Sequence, residues 1–267
     1  MSEISSNISL LLFLGAFPVI IILLLVYYKD KNKEPRGLLM KLFISGFISC
    51  GLVLMLSGLI ENYLPVMSPS APKNIFETLL YSFIGVALIE EISKWIMVYF
   101  ISYYHKEFDE IYDGLVYSVF VSLGFAFIEN ILYVLVNNSI ATAIVRAICA
   151  VPSHACDAIF MGYHISIAKQ QSIYKNKRQE KRHLLLSIIV PTLIHGIYDF
   201  CLLSGYKSFI IVFLIFVVVM YFISINKLHD MSSTNKKIIG KKYMYCKYCG
   251  QVINHAKKCN HCGRNQF

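Results

Sequence analysis

Apolar residues run in blocks of about 20, separated by short charged loops, and that block length is what a helix needs to cross the hydrocarbon core of a bilayer. Seven blocks lie near 9–28, 38–60, 75–103, 112–136, 140–168, 184–203 and 208–225. The pattern predicts an all-α polytopic membrane protein with about seven transmembrane helices over residues 1–225. A polar, basic linker over 226–242 and a small cysteine-rich module over 243–267 follow.

Composition agrees with this reading. Of 267 residues 57% are hydrophobic and 15% charged, which is more apolar surface than a soluble core of that length hides, so a water-soluble enzyme is excluded. The 25 Lys and Arg fall unevenly: 21 lie in alternate loops and the tail, two (Lys73, Lys207) in the opposite loops, and two (Lys94, Arg146) inside spans. By the positive-inside rule the amino terminus is outside and the carboxyl tail cytoplasmic, in a multi-pass plasma-membrane protein. That assignment needs an odd number of spans. Met1-Ser2-Glu3 lacks a basic leader, so the first block is expected to be retained rather than cleaved. The net charge of +9 then reflects loops facing anionic lipid, with no nucleic-acid partner expected.

Ionisable residues avoid the middles of spans one, two and seven and gather in spans three to six: Glu90, Glu91, Lys94, Glu129, His154, Asp157, His195 and Asp199. Each Asp or Lys at a helix centre costs roughly 2.5–3.5 kcal/mol on insertion scales, so such a group is expected to meet inside the bundle with water. Positions three or four apart share a helix face. Lys94 therefore reaches Glu90 and Glu91, His154 sits over Asp157, His195 over Asp199, and Phe125, Glu129 and Tyr133 form one stripe. Glu90 and Glu91 point about 100° apart, which predicts different tasks: one takes a proton from water, the other pairs with Lys94. Arg146, near the outer end of span five, is expected to snorkel to headgroups. His164 is read as a satisfied helix histidine, and neither Asp157 nor Cys156 has a second supporting feature.

These residues form four ordered motifs: Glu90-Glu91-Ile92-Ser93-Lys94; Asp113-Gly114 leading to Gly124-Phe125-Ala126-Phe127-Ile128-Glu129-Asn130 with Tyr133; Pro152-Ser153-His154; and His195-Gly196-Ile197-Tyr198-Asp199. On them the chain resembles the PrsW family of intramembrane peptidases, distant relatives of the CAAX-processing membrane proteases, over about residues 75–205. The resemblance implies cleavage of a peptide bond in or beside the membrane of a single-span protein, typically the first cut in an anti-sigma factor. It assigns Glu90, Glu91, Glu129, His154 and His195 to catalysis, with Lys94, Asn130 and Asp199 supporting. The wider clan has been argued to be metal-dependent or glutamic. No H-E-x-x-H helix is present and the histidines come from different spans, so glutamate/histidine chemistry without an active-site metal is favoured, and metal dependence is the alternative. Intramembrane Glu, His and Lys also build proton relays, so a proton-coupled transporter is the competing class, although no internal repeat is found.

The tail holds Cys246-x-x-Cys249-Gly250 and Cys259-x-x-Cys262-Gly263, with nine residues between Cys249 and Cys259. Four thiolates at this spacing predict a closed, structural Zn²⁺ ribbon, an accessory module suited to protein contact in the cytoplasm. His255 and His261 are spare ligands. The segment from Glu61 to Asn74, with Pro65, Pro69 and Pro72, is read as a loop able to touch a substrate.

Overall fold

Each apolar block is helical in the structure, a computed structural model that describes residues 2–69, 71, 73–234, 237–238, 243–246, 248–249, 251–254 and 258–265. The helices are α1 (Ser2–Lys29), α2 (Arg36–Tyr63), α3 (Ile75–Leu80), α4 (Ile89–Ser102), α5 (Ile111–Asn137), α6 (Ile140–Val145), α7 (Val151–Ile173), α8 (Lys177–Leu203) and α9 (Lys207–Thr234). Wide π turns over Tyr81–Leu88 and Arg146–Ala150 join α3 to α4 and α6 to α7 without breaking the rods. Among the described residues six helices are long and apolar enough to cross a membrane: α1 from Leu10, α2, α5, the joined α6–α7 rod, α8 and α9. The remaining expected block, 75–103, is the three-piece rod α3–π–α4, which carries Glu90, Glu91 and Lys94. Helix α9 runs on to Thr234, so the first part of the expected linker is helical; 235–236, 239–242, Pro72, Gly250 and His255 lie outside the described residues.

Burial ranks the helices. Between 22% and 28% of the most apolar stretch is buried in α1, α2 and α9, against 50% in α5 and 56% in α6–α7; the outer helices face lipid and α5 is the hub. Helix α5 packs on α1, α2, α4 and α7, while α8 packs on α7 and on the Tyr81–Leu88 turns. Two crossings depend on glycine. A Cβ on Gly124 would stand 2.0 Å from the Phe43 carbonyl oxygen, and one on Gly162 would stand 2.4 Å from that of Gly114. Small residues let backbones meet, which is how helices pack where water cannot drive them together.

The π turn before α7 has a local cause. Pro152 cannot donate to the carbonyl four residues earlier, and the Tyr221 hydroxyl from α9 donates to Ile148 O (2.8 Å) and Cys149 O (3.1 Å) instead. A carbonyl in hydrocarbon needs such a partner.

The ends of α1 and α9 meet at one face of the bundle. Ser232 Oγ donates to Lys29 O (2.6 Å) and Lys31 Nζ to Ser233 O (2.9 Å). Beyond α9, Ile238 N donates to Asp109 O (2.7 Å). The same face holds buried acids in the α1–α2 and α4–α5 connections and at the start of α5: Asp30, Glu34, Glu110 and Asp113. Past it, β1 (Tyr243–Tyr245) pairs antiparallel with β2 (Val252–Asn254).

Candidate active site

The acids and imidazoles of four rods meet in one buried cluster. Lys94 Nζ donates to Glu91 Oε1 (2.7 Å) and Glu90 Oε2 (3.2 Å), and lies 3.2 Å from His154 Nδ1. It also sits 4.2 Å from the Phe125 ring centroid, the ring face adding to its stabilisation. His195 Nδ1 is 2.9 Å from Glu91 Oε1, and its Nε2 is 3.4 Å from Asp199 Oδ2 and 3.9 Å from Glu90 Oε2. The two imidazoles stand edge to face, 5.4 Å apart. His154 Nε2 is 2.9 Å from Glu129 Oε2. Every charge at this depth thus meets an opposite charge or a ring nitrogen, the condition under which ionisable groups persist in a bilayer.

The two adjacent glutamates have different surroundings. Glu91 is fully buried and held by Lys94 and His195, whereas Glu90 lines a cavity of about 380 Å³. That cavity opens between α2, the Pro65–Met67 turn, the Tyr81–Leu88 turns and α5; its walls are mostly apolar, as at Leu54, Val86 and Leu132, and it reaches Glu129 and Tyr133.

Two sequence expectations change. Arg146 does not snorkel outward: its NH2 donates to Glu129 Oε2 and its Nε to Asn130 Oδ1, both at 2.8 Å, and its guanidinium lies 3.9 Å from the Tyr133 centroid. An inward carboxylate attracts an arginine more strongly than distant headgroups do. Asn130 is consequently one step back from the cluster, bonding Arg146 and donating to Gly15 O (2.9 Å). Asp157, on the His154 face by spacing, has an oxygen 3.9 Å from His195 Nδ1, and it is fully buried with no hydrogen-bond partner on either oxygen among the described residues. The signal for Arg146 was its place in a span without a nearby partner on its own helix, which requires one from another. His164 is satisfied as read, 3.1 Å from His183.

A sequence model described as "PrsW family intramembrane metalloprotease" matches residues 34–225. The chain belongs to the PrsW family. Three similar proteins, each named Protease PrsW, bear this out: that of Oceanobacillus iheyensis is 39% identical over 80% of this chain and 92% of its own length. That of Clostridioides difficile is 33% identical over 85% and 94%, and that of Bacillus subtilis 31% over 83% and 95%. No solved structure matches the chain. Between the two classes the sequence left open, membership of this intramembrane protease family decides for the peptidase.

In this PrsW-family chain the residues present fit a divalent cation. Glu90, Glu91, His154 and His195 each offer one ligand atom, all within 4.8 Å of one another, an N₂O₂ set that zinc accepts, and Glu91 Oε2 has no hydrogen-bond partner among the described residues. In the arrangement described, the Lys94 ammonium is the positive charge among three of those donors. The tail offers a second set: the sulfurs of Cys246, Cys249, Cys259 and Cys262 also lie within 4.8 Å of one another. Backbone N–H groups of Tyr248, His261 and Cys262 point at those of Cys246 and Cys259 at 3.4–3.5 Å.

Proposed function

We propose that the chain cuts a peptide bond in or beside the membrane of a single-span protein, in the manner of a first cut in an anti-sigma factor, with water activated by Glu90. The observation that carries this reading is that Glu90, alone of the adjacent pair, lines the cavity while Glu91 is held by Lys94 and His195. Hydrolysis of an amide needs a base for water, positive charge for the tetrahedral oxyanion and an acid for the leaving amine. Glu90 takes the proton from water, Lys94 and His195 face the developing oxyanion, and His195, oriented by Glu91 and Asp199, gives a proton to the amine. Glu129 acts from behind, on His154, and Asn130 acts one step further back, on Arg146.

A second reading is supported by the four donors within 4.8 Å and the family description. Bound by Glu90, Glu91, His154 and His195, a divalent ion would supply Lewis acidity and a more acidic water. Cleavage by purified protein of a single-span substrate tests both. Glu90→Gln and His195→Ala each abolish cleavage, a loss of about 10²–10⁴-fold or more, with insertion intact; normal turnover by both ends the proposal. Activity that survives chelation supports the metal-free reading, and loss reversed by one divalent ion supports the other.

We further propose the plasma membrane as location, with the basic face and tail cytoplasmic; the ends of α1 and α9 sharing one face fits the odd number of spans that charge distribution asks for. The tail, as a domain separate from residues 1–225, takes Zn²⁺ on its four cysteines and serves protein contact.

A further inference from the structure

The geometry points to Arg146 as a positioning residue for the reaction: through Glu129 it fixes the His154 ring with its proton on Nε2 and its Nδ1 lone pair turned toward Lys94 and the glutamate pair. This rests on the peptidase reading for its consequence and on geometry for its content.

The bonding roles leave one arrangement. A carboxylate only accepts, so the 2.9 Å contact between His154 Nε2 and Glu129 Oε2 requires the proton on Nε2. An ammonium only donates, so the 3.2 Å contact between Lys94 Nζ and His154 Nδ1 requires a lone pair on Nδ1. Lys94 also serves both glutamates and its contact with the ring is the longer of the two, so Glu129 is the tie that decides the tautomer, which lasts while Glu129 holds its place. Glu129 borders the cavity, with room to swing away, and the group opposing that swing is Arg146, which donates to the same Oε2 at 2.8 Å.

Arg146 is braced in turn. Asn130 accepts from its Nε, the Tyr133 ring underlies its guanidinium, and the Asn130 amide is tied to Gly15 O on α1. Positions 146 and 154 would stand about 80° apart round a regular helix. The π turn over Arg146–Ala150 takes up about one residue's rotation, roughly 100°, and brings both to one face. The bent rod is therefore what lets a single carboxylate bridge them. Orienting partners behind a functional histidine commonly change activity about 10–100-fold when removed.

The test uses the full chain in lipid discs with a single-span substrate, comparing Arg146→Ala and Arg146→Lys with the unaltered protein. For Arg146→Ala, kcat should fall about 10–100-fold with KM within about twofold, and added guanidinium ion should recover part of the loss, as it should not in Glu129→Ala. Arg146→Lys, which keeps a cation and insertion, should fall between. Independently of turnover, nitrogen-15 spectra should show His154 protonated at Nε2 in both the unaltered protein and Glu90→Gln, and a mixture of tautomers in Arg146→Ala. Unchanged kcat with an unchanged tautomer in Arg146→Ala overturns the proposal, and so does a fall in kcat that guanidinium does not relieve and no tautomer change accompanies. Full activity in Glu90→Gln would instead defeat the peptidase reading, and the tautomer would still decide the role of Arg146.

Discussion

Two groups of four potential ligands each close to within 4.8 Å, and they are assembled in opposite ways. The cysteines come from 17 consecutive positions beside a two-stranded hairpin, and among the described residues they cluster with one another and with Ile253. The intramembrane set takes two glutamates from α4, one histidine from α7 and one from α8, and a lysine is already among them. Without a positive charge the four thiols have no reason to stay together. The intramembrane donors are carried by packed helices and already have Lys94 bonded to both glutamates.

Replacing the intramembrane cation strikes hardest at this contrast. Lys94→Met leaves two glutamates buried without their ammonium, and breaking a buried pair from one side costs roughly 3–5 kcal/mol. Cleavage should fall by about 10²-fold or more. With the tail cysteines changed to serine, Lys94→Met should also gain Co²⁺ absorption that the lysine-containing protein lacks. Full activity in Lys94→Met would show that the ammonium has no part in the reaction and erase the distinction between the two groups.

In the tail the expected effect is large on structure and slight on turnover. Chelation or Cys246→Ser should unfold the hairpin, read by loss of its amide protection, because a module of this size depends on metal to fold. Basal cleavage by the Cys246→Ser protein should stay within about twofold, since four thiolates leave no open coordination position. A dead but correctly inserted Cys246→Ser protein would make the tail part of the catalytic machinery.

These differences also explain what the sequence disclosed. The cysteine group was legible because its spacing is local. The helices were legible because block length and lipid thickness are matched, and Glu90, Glu91 and Lys94 because three and four residues make one helix face. What could not be read was anything set by rods meeting: that Glu90 rather than Glu91 lines the cavity, that Asp157 faces His195, and that Arg146 turns inward. The last depends on a π turn that Pro152 invites and Tyr221 completes from 69 residues further along, a pairing no periodicity announces.

If the intramembrane group is assembled by close helix approach and the tail is not, a packing defect should separate them. Gly162→Ala places a methyl 2.4 Å from Gly114 O and 2.5 Å from Leu115 Cα, so α5 and α7 must part. Such overpacking costs about 1–3 kcal/mol and shifts Glu129 relative to His154. Thermal inactivation of cleavage should come earlier, with metal affinity of the tail unchanged. Equal loss in both would mean that the two regions fold as one.

The acids at the shared end of α1 and α9 supply the comparison's third case, carboxylates buried with little opposing charge among the described residues. Glu34 accepts from Tyr117, and Asn32 donates to Glu110 at 2.5 Å, while Asp30 Oδ2, Glu110 Oε2 and Asp113 Oδ1 have no partner among the described residues. Burial pushes the Glu34 carboxyl from 4.5 up to about 8; the Tyr117 hydroxyl opposes that rise, and Asp30, Glu107 and Asp109 add to it. A carboxyl raised on folding binds more protons folded than unfolded, so its contribution is greatest below 4.5 and is lost as pH climbs toward about 8. Glu34→Gln keeps an acceptor for Tyr117 and removes the titration. It should flatten the fall in thermal stability between those two pH values and raise the midpoint at the upper one by about 2–4 °C, the shift expected for roughly 1 kcal/mol in a chain of this size. A variant with the same pH slope as the unaltered protein would mean that these acids, like the intramembrane ones, are already balanced.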